Sequence, residues 1–307
     1  MTLETDLLLD RRRLKRRLVF WRSFAVLAVL AAVLAWFHRG WVPFGMAHVA
    51  RLPVNGIITE DRKLIAAVDR LADDGSVKAM LVLINSPGGS VAGGESLHAA
   101  IQRVAAKKPV VAVMGGLAAS AGYMVAVPAE RIFASEATLT GSIGVLLETG
   151  DISGLLKSIG VTAEPIVSGP LKDQPSFVKP LSPQGREVLQ GLVMDLYDQF
   201  VGMVAEGRHL DPARVRELAD GRPYTGRQAL KLGLVDAMGG EQDARQWLAQ
   251  AKGIPADLPV EEVSSGGYAS RALLSGLGWM LTGIWKTLFS QGVILDGAWA
   301  IWQRSGG

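Results

Sequence analysis

Between Arg51 and about Val145, short β-branched runs alternate with stretches whose apolar positions recur at helical spacing. LPVNGII, VKAMLVLI and PVVAVM read as strands, and RIFAS and the stretch around Ile143 repeat the signal. Leu64, Ile65, Val68 and Leu71 mark one face of a helix, and SLHAAIQRVAAK forms a second. Successive β/α units of this kind predict an α/β fold, a parallel sheet covered by helices. Ser182 and Pro183 form an N-cap and first-turn pair, after which Val188, Leu189, Leu192, Val193, Leu196, Phe200 and Val204 trace a long amphipathic helix. Asp211 with Pro212, and then Thr225, open two more, the second stopping at Gly233 before a strand-like LVD. A helix from about Glu241 to Lys252 precedes the linker-like Gly253–Pro259, which bounds the expected domain at 51–252.

The two ends are patterned differently. Residues 11–17 read RRRLKRR, and an apolar run from Leu18 to Phe37 follows, broken only by Arg22. About 20 apolar residues suffice to cross a bilayer. Arg22 is placed to snorkel, and Trp21, Trp36 and Trp41 stand where interfacial aromatics belong. The expectation is a cytoplasmic tail over 1–17, a single transmembrane helix over 18–37, and everything after about residue 40 outside the cytoplasm. A cleaved secretory signal is the alternative, but His38, Arg39 and Trp41 follow the run where small residues would be needed. Residues 263–307 hold Trp279, Trp285, Trp299 and Trp302, with Lys286 and Asp296 the only charges between Ala272 and Gln303. Ala272–Trp285 is too short to span and reads as an interfacial or partner-packing helix, or as a terminal helix completing its own domain.

Composition narrows the chemistry. At 307 residues, 49% hydrophobic and 20% charged, the chain is not disordered. It has no cysteine, so disulfides, thiol nucleophiles and thiolate metal sites are excluded. His38, His48, His98 and His209 never fall at ligand spacing, and no metal or other cofactor is predicted. The net charge of +3 is concentrated in the first fifty residues, where eight Lys or Arg face three acids. A nucleic-acid partner, which would need a basic folded face, is therefore not expected.

Three segments carry candidate chemistry. Asn85-Ser-Pro-Gly-Gly-Ser90 follows a buried-strand run, and such a turn exposes backbone N–H groups able to hold an anion. Neither a GxxxxGK[ST] nor a GxGxxG pattern is present, so an oxyanion hole competes with a plain glycine-stabilised turn. PVVAVM then runs into GGLAASAGY, which sets Ser120 at the start of a small-residue helix without a GxSxG pattern. The N–H of Ala121 could join the oxyanion hole there, although a serine among alanines is also a common packing residue. A serine nucleophile needs a base. No histidine lies between Ser120 and His209, His98 sits on an amphipathic helix, and the nearest following lysines are Lys157, Lys172 and Lys179. A lysine serves as base only where burial brings its pKa from about 10.4 toward about 7.

In combination these segments resemble the SppA-type signal peptide peptidases, Ser/Lys serine proteases of the Clp protease and crotonase fold superfamily. The resemblance covers about residues 51–252. Its carriers are the Asn85–Gly89 turn, Gly116–Gly122 around Ser120, TGSIGV from Thr140, SGPLKD with Lys172, and YTGRQALKLGLVDAMGG from Tyr224. It implies Ser120 as nucleophile, Lys172 as general base and then acid, and Ser142 as the accessory hydroxyl holding the lysine. Gly89 or its neighbour Gly88, with the Ala121 N–H, would supply the oxyanion donors. Position 145, where Clp proteases place histidine, is valine here. Family members commonly carry glycine after the nucleophile, so Ala121 is expected to narrow the space beside the oxyanion hole. Only one copy of the fold is present, so the dyad forms within a subunit or across an interface of a homo-oligomer.

The implied function is a membrane-anchored serine endopeptidase facing the periplasm or cell exterior of a bacterial inner membrane, with signal peptides and similar apolar segments as substrates. Two other readings stand beside it. One is a catalytically idle membrane scaffold using the same fold, and the other is an acyl-thioester enzyme of the crotonase branch, for which the sequence offers no obvious phosphate anchor.

Overall fold

The computed structural model describes residues 21–29 and 46–263. Most of the expected transmembrane run and all of the Trp-rich segment from residue 264 onward lie outside the described residues. Residues 21–29 are helical (α1) with exposed side chains, and among the described residues no helix is long and apolar enough to cross a membrane.

The remainder forms one eight-stranded, mostly parallel sheet. β1 (His48–Ile58), α2 (Arg62–Leu71), β2 (Val77–Gly89), α3 (Val91–Ala105), β3 (Val110–Ala119), α4 (Ala121–Ala126), β4 (Arg131–Ala134) and β5 (Leu139–Gly141) follow in order. After α5 (Ser153–Ser158) come α6 (Pro183–Arg208), α7 (Pro212–Leu218), β6 (Pro223–Thr225), α8 (Gly226–Lys231), β7 (Ala237–Met238), α9 (Glu241–Lys252) and β8 (Val260–Glu262). The strand order is β6-β5-β3-β2-β1-β8, with β4 joining β3 to β7. Only β5 and β6 run antiparallel.

Helix boundaries follow capping chemistry. The Asp61 carboxylate accepts from Lys63 N and Leu64 N, Ser182 Oγ accepts from Gly185 N, and Thr225 forms a capping box with Gln228. The strand-like LVD does not pair. Asp236 instead accepts the Ile132 N–H at 2.7 Å and donates its own N–H to Ile132 O, so β7 begins only at Ala237. Ile143 is fully buried but stands outside β5, because Ser142 turns the chain at φ 47°.

β3 changes partner along its length. Val111–Met114 pair with Arg131–Ala134 of β4, whereas Leu117–Ala119 pair with Leu139–Gly141 of β5. The switch falls at Gly115 and Gly116. Backbone groups freed at and just beyond the switch are taken up by side chains: Thr138 Oγ1 donates to Gly115 O at 2.7 Å, and Asn85 Oδ1 accepts the Leu117 N–H at 3.3 Å.

The main core lies between the sheet and α2, α3, α4 and α6, and a smaller one lies under α9 on the other face. α4 is buried along its whole length. It crosses α6 at Gly207, where a Cβ would overlap Val127 Cγ1 and come within 2.5 Å of Val127 O. Gly207→Ala is therefore expected to lower the unfolding free energy by about 1–3 kcal/mol, read as a shifted urea midpoint at constant slope.

Candidate active site

Ser120 stands alone between the end of β3 and the first residue of α4. Its backbone is at φ 54°, ψ −123°, a conformation that L-residues avoid and that costs about 1–3 kcal/mol. The surroundings enforce it. Ser120 N donates to Gly141 O at 2.9 Å, and Tyr123 N and Met124 N donate to Ser120 O at 2.9 and 3.0 Å. The side chain does not cap α4, and the half-buried hydroxyl has no hydrogen-bond partner among the described residues. Although the sequence lacks the GxSxG pattern, the chain makes the same kind of strained strand-to-helix turn that exposes a nucleophile.

The glycine turn meets this serine. Gly88, at φ 113°, approaches so closely that a Cβ on it would lie 2.8 Å from Ser120 Cβ and 3.2 Å from Ala121 N. At Gly89 a Cβ would overlap the Ile58 carbonyl of β1. Ser120, Ala121 and Gly88 are thus brought together, with Gly89 one residue on. The Ala121 side chain is accommodated elsewhere: a Cβ on Gly94 of α3 would be 2.9 Å from Ala121 Cβ, so the alanine methyl fills space left by that glycine.

Lys172 and Ser142 are not bonded into this cluster, although Ser142 directly follows Gly141, whose carbonyl accepts the Ser120 N–H. Lys172 is exposed, and neither its ammonium nor Ser142 Oγ contacts Ser120 by hydrogen bond or bonds to any other described residue. Lys179 is engaged, its Nζ 2.6 Å from Asp173 Oδ2. Gln174 Oε1 accepts the Ser182 N–H at 3.2 Å, which ties the lysine-bearing loop to the start of α6. Residues 144–182 bury no side chain, and they expose Leu146, Leu155, Ile166 and Phe177. Among the described residues no group of three His, Asp or Glu converges as a metal site.

The supports of Ser120 were invisible to motif reading. Thr140 Oγ1, fully buried, donates to Ala118 O at 2.7 Å. Tyr123, fully buried with its phenol pKa pushed up by burial, donates to Leu234 O at 2.9 Å. Arg208 pairs with Asp236 beside it, so the Leu234–Asp236 stretch braces α4 from behind. Only the burial of polar residues within apolar stretches hints at these roles in the sequence.

His98 of α3 donates from Nδ1 to Met124 O of α4 at 2.8 Å; a carbonyl only accepts, which fixes the tautomer. Burial lowers its pKa below 6.5, opposed by the Met124 carbonyl and by Glu206 and Glu95. The unfolded chain therefore binds the extra proton first, and stability contributed by neutral His98 is present above pH 6.5 and lost as pH falls from that value through the lower folded-state pKa. His98→Gln is expected to flatten the acid side of the stability profile, measured by urea titration from neutral pH to about pH 5.

The mostly parallel sheet with its helices is a Clp-protease-like α/β fold, and residues 58–139 match the Clp protease family. The chain belongs to peptidase family S49, which it matches over residues 102–255. It is 42% identical over 210 residues to a Synechocystis sp. protein provisionally named a protease, covering 68% of this chain and 76% of that one. It is 38% identical over 220 residues to an Enterococcus faecium protein provisionally named signal peptide peptidase SppA, covering 66% of this chain and 63% of the relative. Protease 4 of Salmonella typhi is 41% identical over 172 residues, which is 56% of this chain but only 28% of that longer protein. Among solved structures, a serine-to-alanine mutant of a membrane-bound stomatin-specific protease aligns at a TM-score of 0.49 and 14% identity, over 71% of this chain and 98% of that one. The chain is thus an SppA-like serine protease.

Proposed function

We propose that this protease is a membrane-anchored endopeptidase that uses Ser120 and Lys172 to cleave apolar peptide segments, spent signal peptides among them, on the extracytoplasmic side of a bacterial inner membrane. The observation that carries the reading is the Ser120 backbone at φ 54°, ψ −123° with an uncommitted hydroxyl against Gly88 and Ala121. Ser120 Oγ attacks the scissile carbonyl carbon and gives its proton to Lys172 Nζ, while the Ala121 and Gly89 N–H groups stabilise the oxyanion, the Gly88 N–H being already donated to Ser86 Oγ at 3.1 Å. Lys172 returns the proton to the leaving amine. It then takes one from a water molecule, whose oxygen attacks the ester carbon; the ester C–O bond breaks, the acid leaves, and Lys172 passes that proton to Ser120 Oγ.

Several features support the finer points. Lys179 is paired with Asp173, whereas Lys172 and Lys157 are not, and of these two only Lys172 stands in the SGPLKD segment that carries the family resemblance. A solvated lysine is no base at neutral pH, so the loop must close before the dyad works. Leu146, Leu155, Ile166 and Phe177, together with Leu192 on α6, are large apolar side chains left exposed, of the kind that a second subunit covers. Homo-oligomer formation would then bury Lys172 and complete the site. Apolar substrates suit the rim: exposed Ile57 stands opposite Gly88 in the strand register, and Leu117 stands opposite exposed Leu139. The apolar run Leu18–Phe37 behind RRRLKRR supports the anchor and its orientation.

The test is cleavage of a quenched apolar signal-peptide substrate by the detergent-solubilised full chain, compared with a polar unstructured peptide of equal length. A clear preference for the apolar peptide is expected; equal turnover of both would remove the substrate assignment.

A further inference from the structure

We infer that Ser86 is a positioning residue that sets the oxyanion turn through Gly88, an assignment that rests on reading Ser120 as the nucleophile. Both strands flanking β2 lose register beside it. On one side Asn55 pairs with Asn85 and then Ile57 with Gly88; on the other, Met114 pairs with Ile84 and then Ala118 with Ser86. Such a double irregularity strips ladder groups of their regular partners, and Pro87 between them has no N–H to offer.

The Ser86 hydroxyl fills the gap on the β1 side and holds the turn that follows. It is fully buried, donates to Gly56 O of β1 at 2.6 Å, and accepts the Gly88 N–H at 3.1 Å. A hydroxyl has one proton, and the contact to Gly88 O at 3.4 Å is too long to compete for it, so the lone pairs face the Gly88 amide. That bond holds Gly88 at φ 113°, the geometry that presses it against Ser120. From the other side α4 closes on the same residue, since a Cβ on Gly122 would be 3.0 Å from Ser86 O and 3.4 Å from Ser86 Cβ. One side chain thereby bonds β1 and the glycine turn at the point where α4 leaves room for no added methyl.

Removing the hydroxyl leaves the buried Gly88 N–H without its partner, while the carbonyl of exposed Gly56 turns to solvent, and the turn relaxes to find another acceptor. The consequence falls on the amides that face developing charge. Substrate contacts along the strand ends do not run through Ser86, so ground-state binding is left in place.

The experiment measures kcat and KM for the quenched apolar peptide in the full-length wild type, Ser86→Ala, Ser86→Thr, Ser86→Cys and Ser120→Ala. Sites are counted by fluorophosphonate labelling carried to completion, and affinity for a peptide boronate is measured alongside. Ser86→Ala is expected to lower kcat per labelled site on the order of 10- to 100-fold, to weaken the boronate in parallel, and to leave KM within about twofold. An unchanged kcat per labelled site, a change confined to KM, or a loss confined to the number of labelled sites overturns the inference. If Ser86→Ala yields no labelled sites, the comparison passes to the other two variants: threonine keeps the hydroxyl and must retain a higher kcat than cysteine, and the reverse order overturns it. Activity surviving in Ser120→Ala, or wild type that fails to label, would instead remove the nucleophile reading beneath it.

Discussion

Ser120→Ala is expected to lower cleavage of the quenched apolar peptide by roughly 10⁴-fold or more, with the fold intact. The hydroxyl makes no hydrogen bond among the described residues, so its removal breaks no structural contact. Alanine inherits the strained φ of 54°, and its melting temperature should match that of the wild type. Ser120→Gly separates chemistry from conformation, because glycine occupies this region without penalty. It should be equally inactive yet more stable by about 1 kcal/mol, measured by urea unfolding. A serine in that geometry for packing alone would give the stabilisation without the kinetic loss. Residual activity in both variants would move the nucleophile elsewhere.

Lys172→Ala is the second large effect, expected to cost about 10³-fold or more in kcat with little change in KM, because a base acts only in the transition state. Lys179→Ala breaks the ion pair with Asp173, loosens the loop and should cost about tenfold or less. If the two variants lose equally, the base assignment fails. Mixing inactive variants locates the dyad in the assembly. Co-refolded Ser120→Ala and Lys172→Ala subunits contain an intact serine on one chain and an intact lysine on the other. They regain a substantial fraction of activity if neighbouring subunits share a site and none if each subunit completes its own. The open position of Lys172, exposed and out of contact with Ser120 in the single chain, favours recovery.

What the sequence made legible was set by how local the physics is. Ser182, Asp211 and Thr225 announce their helices because a cap is decided within four residues, and all three cap where expected. VKAMLVLI is visible as a buried strand, but its continuation through the glycine turn to Gly89 is not, because that stretch is held by pairing with Ile57 and Ile58 of β1. Val260–Glu262 gave no strand signal: three residues have no measurable alternation, and β8 exists because β1 offers it an edge. The same division holds at the site. Ser120 stood out by its small neighbours, whereas Ser86, Thr140 and Tyr123 act across 30, 22 and 111 positions of chain. LVD misled because Asp236 is spent on Ile132 and Arg208, a tertiary choice no periodicity encodes.

The change of partner along β3 has a bearing on how such enzymes diversify. The lower half of the strand belongs to the large parallel sheet, and the upper half, which leads into Ser120, is held by the short β5, itself backed by β6. Gly115 and Gly116 act as a joint between a foundation and a mounted tool. Substitutions in the segment from Thr138 to Thr225 can therefore re-aim the serine and reshape what it accepts while the sheet beneath keeps its order. New specificities in this lineage should accumulate above that joint, and grafts exchanged between relatives at Gly115 and Gly226 should fold more readily than grafts cut through β2.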